Sequence, residues 1–121
     1  METIKIGDKK FDLHFGIDFI REMDKRYSLN GNGVTFGMGI QSAVIYLQDF
    51  NPVVLEDIIL SATNTQKNKP NVNDIELWIE DQGDNLEKVF EDFLTNLKNA
   101  PMTKLKVCLL YTSPSPRDST S

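Results

Sequence analysis

The sequence predicts an α+β fold, mainly α, in which an N-terminal β-hairpin packs on a compact bundle of about five helices. Three observations carry this expectation. Ile4, Ile6, Phe11, Leu13 and Phe15 alternate with polar residues, as one buried face of a two-stranded ribbon requires. From Gly16 the apolar period lengthens, so that Phe19, Ile20, Met23 and Tyr27 fall at helical spacing. Further on, Leu86, Val89, Phe90, Phe93, Leu94 and Leu97 form one broad stripe, with charged and polar residues between them.

The chain has 121 residues, of which 40% are hydrophobic, enough for one small core and too few for two ordinary domains. A single domain over residues 1–107 is therefore expected. The net charge is −5 at pH 7, and the isoelectric point lies near 4.8. Nucleic acid and anionic membrane surfaces select for clustered Lys and Arg, so neither is expected as a partner. The N-terminus lacks the basic-then-apolar order of a signal peptide, and no run reaches the length of a membrane span. The lone Cys108 cannot form an internal disulfide, which agrees with the cytosol.

Taken in order, Gly7-Asp8 supplies a tight turn between the first two strands. That ribbon needs a cover, and a helix from residue 17 to 27 follows at once. His14, the only histidine, falls on the polar side of the alternation. General base and metal ligand are the functional readings for it; with no local partner residues, a solvated position on the outer face fits better. Residues 28–33, Ser-Leu-Asn-Gly-Asn-Gly, read as a linker, since the Gly-Lys-Ser/Thr ending of a phosphate loop is missing.

A second helix is expected over residues 37–47, burying Ile40, Ala43, Val44 and Leu47. Gly37 and Gly39 are poor helix formers, so their use there points to close backbone approach or to helix entry. Asn51-Pro52 opens a third helix, which buries Leu55, Ile58, Ile59 and Ala62 and stops near Thr63. Asn73 is the expected cap of a fourth, residues 74–81, with Ile75, Leu77, Trp78 and Ile79 as its apolar set. Trp78 fits either a core anchor or an exposed hot spot. Asp74, Glu76, Glu80, Asp81 and Asp84 raise the question of a divalent metal, but their spacing does not match a Ca²⁺ loop, and a solvated acidic face is the simpler reading. The fifth helix spans residues 85–100 and ends at Pro101. No catalytic residue, metal ligand or cofactor site emerges from these spacings.

Three phrases do carry a resemblance. The hairpin Ile4-Lys-Ile-Gly-Asp-Lys-Lys-Phe-Asp-Leu-His-Phe-Gly16, then Phe19-Ile-Arg-Glu-Met-Asp24, then Phe36-Gly-Met-Gly-Ile40 resemble the tail assembly chaperones of long-tailed phages and prophages of Gram-positive bacteria. The resemblance implies a non-enzymatic protein without cofactors. It also implies that the protein holds the tape measure protein in soluble form, helps recruit tail tube subunits, stays in the host cytoplasm and is absent from the mature virion. On that basis Phe36, Met38 and Trp78 are candidate partner-binding residues, each with the core as its alternative. A homo-oligomer is left open. Cys108 to Asp118 resembles the conceptual translation of a transposase-type sequencing adapter, so residues 108–121 are expected to be an adapter-derived, disordered tail.

Two other classes of function compete with the chaperone. One is a permanent structural tail or connector subunit of the virion. The other, weaker, is a metal-dependent hydrolase built on the acids between Asp74 and Asp84.

Overall fold

The computed structural model describes residues 2–112 of the chain. In order, they form β1 (Glu2–Ile6), β2 (Lys9–Leu13), α1 (Ile17–Arg26), β3 (Ser28–Gly31), β4 (Val34–Gly37), α2 (Gly39–Gln48), α3 (Val53–Ala62), α4 (Val72–Glu80), α5 (Leu86–Asn99) and α6 (Lys104–Thr112), with a single 3-10 turn at Gly83–Asn85 before α5. This is the mainly helical α+β architecture that the periodicities predict. Each pair of strands forms its own antiparallel two-stranded sheet.

The first hairpin pairs Ile4 with Phe11 and closes through Gly7, whose φ of 67° suits glycine. Ile4, Ile6, Phe11 and Leu13 are buried, and His14 is exposed. The N–H of His14 donates to the carbonyl of Ala62 at 2.9 Å, tying the end of the ribbon to the end of α3. Phe15 meets Phe19 edge to face, with ring centroids 5.0 Å apart, so the first turn of α1 begins already packed against the ribbon.

Four helices deliver their predicted stripes to one core. Phe19 and Met23 come from α1, Ile40, Ala43, Val44 and Leu47 from α2, and Leu55, Ile58, Ile59 and Ala62 from α3. Val89, Phe90, Phe93 and Leu97 come from α5, with Leu86 and Leu94 half-buried beside them. The side chain of Asp57 joins α3 to the end of α1, accepting from Tyr27 Oη and, at 3.2 Å, from Arg26 Nη1. Burial, reinforced by the Asp57 hydrogen bond, holds the Tyr27 phenol protonated well beyond its ordinary range.

The structure corrects three expectations. Residues 28–33 are not a linker: they carry β3 and the turn of a second hairpin. Asn32 and Gly33 both take positive φ, 52° and 78°, the geometry of a two-residue hairpin turn whose twist matches the strands. The cap of α4 is Asn71 rather than Asn73. Its Oδ1 accepts from the Asp74 N–H at 2.8 Å while its Nδ2 donates back to the Asp74 carboxylate at 3.0 Å, a reciprocal closure that Asn73, inside the helix, cannot make. Lastly, α6 adds a helix that the periodicity does not announce. It anchors on fully buried Val107, with Thr103 Oγ1 donating to the carbonyl of Leu97 at 2.6 Å. Cys108 to Thr112, expected as tail, are helical; residues 113–121 lie outside the described residues.

The phrase Phe36-Gly-Met-Gly-Ile40 now has a physical meaning. A Cβ on Gly39 would sit 2.6 Å from Met23 Cβ and 2.8 Å from the backbone N of Asp24, while one on Gly37 would collide with the Asp24 carboxyl. The Asp24 Oδ1 in turn accepts from the Gly39 N–H at 2.9 Å, placing a carboxylate at the positive start of α2.

Gly39→Ala should therefore destabilise the protein by about 1–3 kcal/mol, because its neighbours are a Cβ and a backbone that cannot step aside. Gly37→Ala should cost less, since the Asp24 side chain can rotate away. Phe90→Ala, which empties a core position, should cost about 3–5 kcal/mol. Denaturant midpoints of the three variants check this ranking, and an unchanged midpoint for Phe90→Ala would show that the α5 stripe contributes nothing to the core.

Candidate partner-binding surfaces

The second hairpin carries the most conspicuous apolar face. In its register Leu29 stands opposite Phe36 and Gly31 opposite Val34, so Leu29, Val34 and Phe36 share one face by strand alternation. The other face holds Gly37, against Asp24 of α1, and the pair Thr35–Asn30, hydrogen-bonded at 2.6 Å. Leu29, Val34 and Phe36 consequently point away from the helices, and all three are half or more exposed, Leu29 by 58%. Sequence reasoning missed Leu29 and Val34. The signal available was Asn32-Gly33 flanked by alternating residues, which reads as a hairpin turn as well as a flexible break.

Of the predicted candidates, Phe36 lies on this face. Met38 follows at the junction with α2, half-buried, with its N–H donating to the Tyr27 carbonyl at 2.8 Å. Trp78 is elsewhere. It sits half-buried on α4, packs against the core and lines a depression of about 420 Å³ with Ile6, Phe11, Leu77 and Lys69. The structure thus brings Phe36 and Met38 near one another in the chain and leaves Trp78 on a different surface.

The acidic segment divides its charges among separate tasks. Asp74 closes the N-terminus of α4 with Asn71, whereas Glu76 and Glu80 border a second depression, of about 390 Å³, between α3, α4 and the start of α5. Among the described residues, no three His, Cys, Asp or Glu side chains are grouped so as to hold a metal ion. His14 borders a recess of about 530 Å³ with Asn96 and Asn99 and donates through its backbone only to the Ala62 carbonyl.

At the 390 Å³ depression Glu56 of α3 meets Glu76 of α4. Partial burial raises the Glu56 carboxyl above its ordinary 4.5, and a hydrogen bond to Glu76 together with repulsion from Glu76 and Asp57 raises it further; Arg26 opposes the shift. The surroundings of Glu56 thus disfavour its ionised form.

The exposed ribbon and the acid-bordered depression are separate surfaces of the described residues. The family model described as phage tail assembly chaperone protein, TAC, matches residues 3–110, and the chain belongs to that family. The match runs from β1 into α6 and so includes both hairpins. No curated protein and no solved structure matches the chain.

The raised Glu56 carboxyl has a pH signature. The folded state binds this proton more tightly than the unfolded chain does. Its contribution to stability is therefore complete below the ordinary value of 4.5 and declines as pH rises through the higher folded value. Glu56→Gln should not lose stability this way, so the difference in stability between variant and wild type should grow in favour of the variant from about pH 4 to about pH 7. Denaturation midpoints across that range test it; a difference independent of pH would mean that Glu56 titrates alike in both states.

Proposed function

We propose that this chain holds the phage tape measure protein in soluble form during tail assembly, helps bring tail tube subunits to it, and leaves before the tail is complete. It works in the host cytoplasm through reversible protein contacts, with no catalytic step and no cofactor. Family membership supports assembly chaperoning, and the observation that carries the client-binding reading is the apolar ribbon of Leu29, Val34 and Phe36. No helix among the described residues is long and apolar enough to cross a membrane.

The magnitudes suit a transient partner. Covering the remaining exposed parts of those three side chains contributes on the order of 3 kcal/mol, well short of the roughly 8 kcal/mol that corresponds to micromolar affinity. The ribbon can guide and release a client, and firmer holding needs a second surface or several copies acting together. An acidic exterior keeps such a protein dispersed while its apolar contacts are open.

Co-expression with the tape measure gene of the same phage should raise the soluble fraction of the tape measure protein and yield a co-purifying complex. Leu29→Ser combined with Phe36→Ser should reduce that yield several-fold with little change in melting temperature, because both side chains are exposed in the free protein. Mass spectrometry of purified virions should find the chain absent. Its presence at stoichiometric level would favour a permanent tail or connector subunit, and unaltered tape measure solubility without co-purification would rule against the chaperone role.

A further inference from the structure

The depression between α3, α4 and α5 is apolar along its floor and acidic along its border. Pro52, Val53, Ile79 and Leu86 supply the floor, and Glu56, Glu76 and Glu80 the border. Leu86 also lines a hollow of about 180 Å³ with Phe50, Phe90 and Glu87, so the two adjoin at Leu86 and are taken together as one groove. Val53 is 65% exposed and Phe50 52%.

Several features of this groove carry a cost in the free protein. Phe50 sits in the left-handed region, φ 55°, at the position after the cap of α2 where glycine is usual. Two bonds, Phe50 N–H to the Leu47 carbonyl and Asn51 N–H to the Tyr46 carbonyl, hold that conformation in place. The ring meets Phe90 edge to face at 5.5 Å, yet half of it stays open to solvent. Glu56 and Glu87 lie in the first turns of α3 and α5, where helix dipoles favour acids. Glu76 and Glu80 have no such excuse. They are four residues apart on one helix, which is repulsive for like charges, and Glu80 lies at the negative end of α4. Among the described residues neither takes part in an ion pair, and no Lys or Arg lines either hollow.

We propose that this groove is a docking site for an amphipathic helix of a partner protein that carries lysine or arginine beside its apolar stripe. The inference rests on the chaperone reading and names the chemistry of the client segment. An apolar stripe on such a helix covers Val53, Ile79, Leu86 and the open edge of Phe50, and its cations pair with Glu76 and Glu80. Charge sets the choice of partner, and the apolar floor contributes most of the holding. In a second copy α1 is poorly suited to this place, because Asp18, Glu22 and Asp24 balance its Arg21, Lys25 and Arg26, and Arg21 and Lys25 already pair with Asp18 and Glu22 at 2.9 and 3.0 Å. Helix α6, with Lys104 and Lys106 beside exposed Leu105 and Leu109, is the segment that self-association through the groove would implicate.

The test uses the whole chain and a synthetic helical peptide of about 18 residues, five turns, with leucine on one face and lysine on the other; a control peptide has glutamate in place of lysine. Fluorescence anisotropy should show binding of the lysine peptide and little of the glutamate one. Glu76→Gln with Glu80→Gln should weaken binding about tenfold at low salt, an effect that shrinks as salt rises, and Val53→Ser should weaken it at every salt concentration. Asp8→Asn with Asp12→Asn removes the same charge elsewhere on the surface and should change affinity less than twofold. Equal losses from the two charge pairs would overturn the proposal in favour of general attraction to an acidic protein, as would comparable binding of both peptides. Self-association of the chain that Val53→Ser abolishes would instead assign the groove to a second copy and overturn the proposal. A wild-type chain that binds the lysine peptide through the groove but leaves the tape measure protein insoluble would uphold the groove and remove the chaperone role; groove variants that keep full tape measure binding would do the reverse.

Discussion

The close seat of Gly37 and Gly39 on Met23 and Asp24 is the constraint on which the arrangement depends. It brings the backbone of α2 against α1 without an intervening side chain, and it fixes where the second hairpin leaves the helical body. The Asp24 carboxylate serves two purposes at that point, filling the space that a residue larger than Gly37 would take and capping the first N–H of α2. Once α1 and α2 are set in this way, α3 returns against both, with Asp57 clasping Tyr27 and Arg26, and α5 lays Phe90, Phe93 and Leu97 over what remains open. Two short phrases of the sequence thus encode one contact.

Most of the fold was legible because burial writes a period into the sequence. The stripes of α1, α2, α3 and α5 match their buried residues nearly one for one, and Ile4, Ile6, Phe11 and Leu13 alternate as a covered ribbon should. The second hairpin escaped notice for the complementary reason. Its apolar residues face solvent, so they do not mark a core, and its turn residues also suit an unstructured break. Helix α6 was hidden differently: it touches the core mainly through Val107, leaving Leu105 and Leu109 exposed, and one anchor does not make a period. For α4, Asn71 and Asn73 are both plausible caps by composition, and what distinguishes them is that Asn71 Oδ1 accepts from the Asp74 N–H while its Nδ2 donates to the Asp74 carboxylate.

The candidate site was less legible than the fold. Phe36 could be found by residue type, but its neighbours Leu29 and Val34 become a surface only when the hairpin sets them side by side. Trp78, the most prominent residue by type, is half taken up by the core. Glu76 and Glu80 stood out as part of an acidic segment, but Glu56 could not be joined to them, because Glu56 and Glu76 lie 20 positions apart in sequence and meet only when α3 and α4 pack.

The ribbon of β3 and β4 has both ends rooted in the helical pair and a free turn at Asn32-Gly33. Its four-residue strands give it a projection of roughly 13 Å, and nothing in the core fixes that figure. Lengthening each strand by two residues would keep Leu29, Val34 and Phe36 on their present side and extend the arm by about 7 Å, whereas a change of one would turn the greasy face inward. Reach is therefore adjustable in discrete increments, independently of the body that carries it.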